Sequence, residues 1–133
     1  MYMLDTNICI YIIKKKTTSI LKKVKKNKEK GLCISSITLA ELEYGIANAA
    51  VSQKNKNIIA LMEFLTIIDV KKFDEKAASE FGVLKKDLKD KNCLIGPFDM
   101  LIGAHAKSLN MTLVTNNERE FERINNLKIE NWV

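Results

Sequence analysis

Four acidic residues stand where short apolar segments end or where helices begin. They are Asp5, Glu41, Asp99 and Glu120. Asp5 follows Met3 and Leu4, and Asp99 lies between Phe98 and a run of apolar residues. Acids in such surroundings lose hydration and repel one another if they meet, and a divalent cation relieves both costs. Carboxylates and water are the ligands that Mg²⁺ and Mn²⁺ prefer, and such an ion turns a water into a nucleophile near neutral pH. The four acids therefore predict metal-assisted hydrolysis, with a phosphodiester as a fitting substrate.

Each acid also has a purely structural explanation, which the sequence leaves open. Asp5 could cap the first helix, because its side chain accepts hydrogen bonds from free N–H groups. Thr38 and Glu41 have the spacing of a capping box. Asp99 is favoured in a first helical turn by the helix dipole alone, and Glu120 could be a solvated surface acid. The prediction of a site depends on the four acids being taken together.

The only histidine, His105, is a rival catalyst. It follows Asp99 at a distance of about 240° around a helix, so the two side chains do not share a face. No second histidine could serve as its acid or base partner, and we expect His105 to pack or to hydrogen-bond at a helix end. The three cysteines form no C-x-x-C pair, which argues against a zinc site and predicts buried free thiols.

Basic residues outnumber acidic ones and give the 133-residue chain a formal net charge of +6. Lysines are concentrated between Lys14 and Lys30, where Glu29 is the only acid. Such a segment is either a solvated helix face or a surface that follows the phosphates of a nucleic acid. No apolar run is long enough to span a membrane, and no signal peptide fits before Asp5. We therefore expect one cytoplasmic domain over residues 1–133.

Short apolar runs alternate with stretches of helical periodicity. The runs predict strands at residues 1–4, 32–35, 67–70 and 112–114, and an edge strand at 128–130. The periodic stretches predict helices at residues 8–13, 20–24, 38–50, 58–65, 74–88 and 98–108, and a helical turn at 118–123. Strands separated by helices imply an α/β fold with a mostly parallel sheet and helices on both faces. In that architecture ligands bind beyond the carboxyl ends of the strands, which is where Asp5 and the residues after Val114 are expected.

Four segments together resemble one family. They read MLDTN at residues 3–7, ISSITLAELEYG at 34–45, IGPFD at 95–99 and LVTNNEREFER at 113–123. These segments are similar to the motifs of PIN-domain proteins and, among them, of the VapC toxins of bacterial toxin–antitoxin pairs. The resemblance follows the chain in order and extends to the closing Glu130-Asn131-Trp132. It implies a three-layer α/β/α sandwich and a metal-dependent endoribonuclease.

The resemblance also assigns roles to residues. Asp5 and Asp99 would be the main metal ligands, Glu41 would complete the site and orient the attacking water, and Glu120 would be the fourth acid. The implied cofactor is Mg²⁺, with Mn²⁺ as a possible substitute. The residues implied to support the ligands or position the substrate are Thr6, Asn7, Thr115, Asn116 and Asn117.

The fourth position is the one at which this chain departs from the pattern. Many PIN proteins carry an aspartate soon after the last-strand threonine, where this chain has Asn116 and Asn117. Either Glu120 reaches the metal from a helical turn, or an asparagine holds a metal-bound water. The sequence leaves both possibilities open.

The resemblance further implies partners. A cognate antitoxin would block the site with its C-terminal segment and bind operator DNA with its N-terminal part, so that operator DNA is reached only through the antitoxin. The Gly-Pro-Phe-Asp and Thr-Asn-Asn-x-Arg-Glu-Phe motifs point to the subgroup that cuts initiator tRNA in the anticodon loop. Lys14, Lys15, Lys16 and the following lysines would attract this RNA. A homodimer and a larger toxin–antitoxin hetero-oligomer are expected, without a membrane.

Two other functions fit some of these features. A flap-type nuclease acting on DNA would need a helical arch and duplex-binding elements for which 133 residues leave no room. A non-catalytic regulator similar to a receiver domain would bind magnesium without cutting. It would be expected to have two adjacent acids after the first strand and a lysine after the last, and neither is present.

Overall fold

The computed structural model describes residues 1–15 and 18–133, in which strands and helices alternate. The strands are β1 (Tyr2–Leu4), β2 (Leu32–Ser35), β3 (Asp69–Lys71), β4 (Thr112–Val114) and β5 (Ile129–Glu130). The helices are α1 (Thr6–Ile13), α2 (Thr18–Asn27), α3 (Ser36–Ala47), α4 (Val51–Leu65), α5 (Glu75–Asp90), α6 (Pro97–Ser108) and α7 (Glu118–Phe121). Of the lysines predicted to attract RNA, Lys16 lies outside the described residues.

The five strands form one sheet in the order β3-β2-β1-β4-β5, and every pairing is parallel. The chain builds outward from β1 to β3 and then crosses to the other side for β4 and β5. This reversal between β1 and β4 leaves a crevice at their carboxyl ends, the usual ligand site of such sheets. Asp5 follows β1 and Thr115 follows β4, so the topology brings both residues to the crevice.

The sheet separates two hydrophobic layers, because successive strand residues point to opposite faces. Leu4 and Ile34 face a core that includes buried residues of α1, α2 and α4. Met3 and Cys33 face a second core built with α5 and α6. The predicted α/β fold with helices on both faces of a parallel sheet is therefore confirmed.

The predicted capping box at the start of α3 is wrong. The helix begins at Ser36, and its N-cap is Ser35, whose Oγ accepts a hydrogen bond from the Ile37 N–H at 3.0 Å. Thr38 is a buried residue inside the helix, and Glu41 is beyond the first turn. The helix starts earlier because β2 ends at Ser35, still paired with Lys71 of β3.

Other differences concern boundaries. Strand β3 begins at Asp69 rather than at residue 67, since the segment after α4 is still in a turn there. Helix α4 begins at Val51, where a polar segment gave no apolar periodicity to detect. Cys9 and Cys33 are buried free thiols as predicted, whereas Cys93 is only half-buried. Among residues 1–15 and 18–133, no helix has both the length and the apolar character that crossing a membrane requires.

Candidate active site

Asp5 is the deepest of the four acids, with 3% of its surface exposed. One carboxylate oxygen accepts a hydrogen bond from the Thr6 N–H at 2.8 Å, which makes Asp5 the N-cap of α1. The other accepts from the Thr115 hydroxyl at 2.8 Å. Burial raises the pKa of Asp5, the two hydrogen bonds oppose this shift, and the charge of Glu41 adds to it. Asp5 therefore caps a helix and also faces other acids.

Glu41 is joined to the Asp5 side of the site by a hydroxyl group. The Thr6 Oγ1 donates to Glu41 Oε1 at 2.7 Å and lies 3.3 Å from Thr38 Oγ1. Thr6 follows β1 directly, whereas Thr38 and Glu41 lie on α3, so this contact fixes α3 against the start of α1. Thr38, which the sequence analysis read as a helix cap, is thus a buried support beneath Thr6.

Asp99 enters the crevice from the first turn of α6 and is half-buried. Its pKa is raised to about 6, mainly by burial and then by the charges of Asp5, Glu120 and Glu41. A hydrogen bond from Asn117 opposes this shift. The carboxylate of Asp99 therefore feels all three of the other predicted acids.

Glu120 approaches Asp99 from α7, and Asn117 lies between them. The Asn117 side-chain amide donates to Glu120 Oε2 at 2.9 Å and to Asp99 Oδ2 at 3.4 Å. The Asn117 backbone N–H donates to Thr115 Oγ1 at 2.9 Å, so the threonine that supports Asp5 also sets this turn. Asn117 thus directs its amide N–H groups at both acids.

Two of the predicted supporting residues do not reach the acids. Asn116 is exposed, and its carbonyl oxygen accepts a hydrogen bond from the Asn131 amide at 3.4 Å. Asn7 is also exposed, on the first turn of α1, and no side-chain hydrogen bond joins it to another described residue. The structure thus brings Thr6, Thr115 and Asn117 to the site and turns Asn116 away.

His105 lies elsewhere, as its angular distance from Asp99 predicts. Its ring is buried, with Nδ1 2.7 Å from the Ser35 hydroxyl and its plane edge-on to Phe73. This contact with Ser35 was not predicted from the sequence. A hydroxyl on the last residue of β2, at the same sheet edge as Asp5 and Thr115, was the available signal.

No basic side chain of residues 1–15 or 18–133 is paired with any of the four acids. In residues 1–15 and 18–133 no group of three His, Cys, Asp or Glu side chains is placed so that it could hold a metal ion. Mg²⁺ is usually held by only one or two carboxylates and keeps several waters. Uncompensated oxygen donors with a raised pKa at Asp99 therefore suit such a partly hydrated cation.

An apolar groove of about 210 Å³ adjoins the acids, with Glu41 on its border. Its walls come from three helices and include Ile10, Ile13, Leu42, Ile46 and Leu61. Lys14 is at its margin. A segment lying in this groove would be carried directly to Glu41.

Comparison with known proteins points to one family. Residues 2–127 match the PIN domain. The chain is 42% identical to the tRNA(fMet)-specific endonuclease VapC of Shigella flexneri over 132 residues, covering 98% of this chain and 97% of that protein. It is 44% identical to ribonuclease VapC2 of Haemophilus influenzae, covering 99% and 98%. Its fold matches the crystal structure of VapBC2 from Rickettsia felis bound to a promoter DNA fragment, with a TM-score of 0.94, 41% identity and coverage of 99% and 98%.

Proposed function

The chain belongs to the VapC branch of the PIN-domain family, and from this premise we propose that it is the endoribonuclease toxin of a toxin–antitoxin pair, dependent on Mg²⁺ or Mn²⁺. The observation that carries the proposal is that Asp99 lies within electrostatic range of Asp5, Glu41 and Glu120, and that none of these acids has a basic partner among the described residues. We propose initiator tRNA, cut in the anticodon loop, as the substrate. The Shigella flexneri relative supports this choice by its name.

In this mechanism Asp5 and Asp99 would hold the metal ion, and Glu120 would complete the acid cluster. When bound, the ion would make a water more acidic near neutral pH and neutralise charge on the phosphate. Glu41, held by Thr6 at 2.7 Å, orients the attacking water and accepts its proton. Water adds to phosphorus as the bond to the 3′ oxygen breaks, and that oxygen takes a proton from solvent water. The products are a 5′-phosphate and a 3′-hydroxyl.

The lysines of α2 supply a surface for the RNA. Lys22, Lys23, Lys25 and Lys26 are exposed, and none of them has a salt bridge within the described part of the chain. By contrast, Lys86 and Lys91, at the end of α5, are paired with Asp90 and Asp87. Unpaired lysines gain free energy by releasing the counterions condensed on a polyanion. We therefore assign phosphate contacts to α2.

The apolar groove beside Glu41 would receive a segment of a cognate antitoxin. A peptide lying there excludes water from the groove and brings its chain to the acids, which accounts for inhibition. The VapBC2 neighbour was crystallised with promoter DNA, and we propose that operator DNA reaches this chain only through its antitoxin. We further propose that the protein forms a homodimer within a hetero-oligomer with its antitoxin. This complex would be located in the cytoplasm, where tRNA is found.

The test uses the purified protein freed of antitoxin and incubated with initiator tRNA. We expect cleavage in the anticodon loop with Mg²⁺ or Mn²⁺, no cleavage in EDTA, and 5′-phosphate ends. Glu41→Gln should lose this activity, whereas Glu43→Gln, an exposed neighbour on the same helix, should keep it. Cleavage that persists in EDTA contradicts the metal mechanism, and a wild-type protein that cuts no RNA contradicts the ribonuclease.

A further inference from the structure

His105 and Ser35 form a fully buried polar pair that the proposed mechanism does not use. They are 1% and 0% exposed, and Nδ1 of the ring lies 2.7 Å from the serine Oγ. Burying polar groups costs free energy unless they are well paired. A histidine and a serine that join two helices inside the core therefore call for an explanation beyond filling space.

The hydrogen bonds around the pair determine its protonation. Ser35 Oγ already accepts from the Ile37 N–H at 3.0 Å, so its own proton is available for His105 Nδ1. The ring also makes a hydrogen bond with the backbone of Lys72, where only a carbonyl can accept. We therefore expect Nδ1 to accept from the serine hydroxyl and Nε2–H to donate to the Lys72 carbonyl. Burial lowers the pKa of His105, which agrees with this neutral tautomer.

The Ser35–His105 pair is connected to the acid cluster by two helices, α3 and α6. Asp99 and His105 are on the same helix, α6, six residues apart. Ser35 caps α3, the helix that carries Glu41, again six residues away. At 1.5 Å per residue, each acid stands about 9 Å along its helix from its end of the pair. The Ser35–His105 contact thus joins the two helices that deliver Glu41 and Asp99.

The Ser35 side chain that contacts His105 also caps the first turn of α3. Ser35 Oγ is the N-cap acceptor, and the neighbouring Ser36 Oγ accepts from the Phe73 N–H at 3.0 Å, next to the ring that packs against His105. A change in the Ser35 side chain therefore shifts the first turn of α3. Such a shift is transmitted along the rigid helix to Glu41.

We propose that Ser35 and His105 are positioning residues that set the separation of Glu41 and Asp99 without touching substrate or metal. The proposal rests on the proposed ribonuclease function. Displacement of a reacting group by about 1 Å can reduce a rate by about 100-fold. Loss of the pair should therefore reduce kcat and leave the KM for RNA nearly unchanged.

The activity test compares two variants of His105 with a control variant that loses stability elsewhere in the core. His105→Leu removes the contact, while His105→Asn keeps a polar atom near the place of Nδ1. Leu84→Ala, at a buried position of α5, is the control for a general loss of stability. We expect His105→Leu to lower kcat about 10- to 100-fold, His105→Asn to recover part of the loss, and Leu84→Ala to keep kcat at a temperature where all three are folded. Equal loss of kcat in Leu84→Ala, or no loss in His105→Leu, overturns the proposal.

A second measurement needs neither metal nor RNA. His105 is the only histidine of the chain, so its ring nitrogens give the only imidazole signals in ¹⁵N NMR spectra. We expect the Nε2–H tautomer in the metal-free protein, lost to a mixture of tautomers in Ser35→Ala. The backbone amide of Thr6, whose side chain holds Glu41, should shift in His105→Leu and stay in place in Leu84→Ala. If these signals behave as expected while the wild type cuts no RNA, the positioning contact stands and the ribonuclease proposal fails. A ring tautomer that Ser35→Ala leaves unchanged, or an unmoved Thr6 amide in His105→Leu, overturns the positioning proposal.

Discussion

The two halves of the acid cluster are held in different ways. On the side of β1 and α3, Asp5 accepts two hydrogen bonds of 2.8 Å and Glu41 accepts one of 2.7 Å, all from Thr115 or Thr6. On the side of α6 and α7, Asp99 and Glu120 share the single amide of Asn117, at 3.4 and 2.9 Å. The first half is organised by the fold itself. The second half depends on one neutral side chain.

The electrostatics follow the same division. Asp5 is almost fully buried, yet its hydrogen bonds counteract part of the desolvation. Asp99 is more exposed and still has its pKa raised to about 6, because three other acids add to its desolvation. Preorganised donors stabilise a charge before any ligand arrives, whereas uncompensated repulsion is relieved by a proton or a bound cation. We therefore expect a bound metal ion to stabilise the Asp99 and Glu120 side of the cluster more than the Asp5 and Glu41 side.

The largest expected effect is on the rate of RNA cleavage. Substituting an acid in either half of the cluster should reduce this rate to a similar extent. Asp5→Asn and Asp99→Asn should each reduce RNA cleavage by more than about 100-fold, since even the outer partners of metal ligands are worth about 10- to 100-fold. Cleavage of initiator tRNA under saturating Mg²⁺ measures this. Asp90→Asn, an acid exposed on α5, is the control and should cut normally. If either variant keeps more than a tenth of the wild-type rate, the substituted residue is not part of the active site.

The halves should differ in stability. Asp99→Asn relieves repulsion and should make the metal-free protein more stable at pH 8. In Asp5→Asn one oxygen becomes an amide that faces a Thr115 or Thr6 donor, and a buried donor without an acceptor costs about 1–3 kcal/mol. This variant should be less stable than the wild type. Urea unfolding in EDTA compares the three proteins, and stabilisation by both substitutions would refute the distinction.

The pH dependence has a definite sign. Native Asp99 has a pKa of about 6, above its usual value of 3.8, so the folded protein holds this proton more tightly than the unfolded chain. The free energy of unfolding of the metal-free protein should therefore fall as the pH rises through the window from 3.8 to about 6. Asp5 contributes in the same direction, because its pKa is also raised. Asp99→Asn should reduce this fall, and an unchanged pH profile would show that Asp99 does not carry it.

Sequence reasoning could predict the half that is built from strand ends. Met3 and Leu4 mark β1, and Asp5 and Thr115 follow two strands that a parallel sheet must bring together. It misjudged the start of α3, since Ser35, Ser36 and Thr38 are all good helix caps. The choice among them is made by the pairing of Ser35 with Lys71 across the sheet, which no local pattern reveals.

The other half was less predictable because it depends on side-chain direction. Asn116 and Asn117 are neighbours of the same type, and the sequence could not separate them. The turn after β4 separates them, because Thr115 Oγ1 accepts from the Asn117 N–H. The partner of His105 was equally hidden, since Ser35 is 70 positions away in the chain.

The smallest expected effect tests this choice of asparagine. Asn117→Asp removes the amide that links Asp99 to Glu120 and puts another negative charge between them. Repulsion in the metal-free site then grows, so stability in EDTA should fall while affinity for Mn²⁺ rises by up to about tenfold. Asn116→Asp makes the same change of charge one residue away, on a side chain directed at Asn131, and should change neither property by more than about twofold. Calorimetric titration with Mn²⁺ measures the affinities. An equal gain in Mn²⁺ affinity in the two variants would mean that overall charge controls binding, rather than the position of Asn117 between Asp99 and Glu120. The contrast between the two halves of the cluster would then have no structural basis.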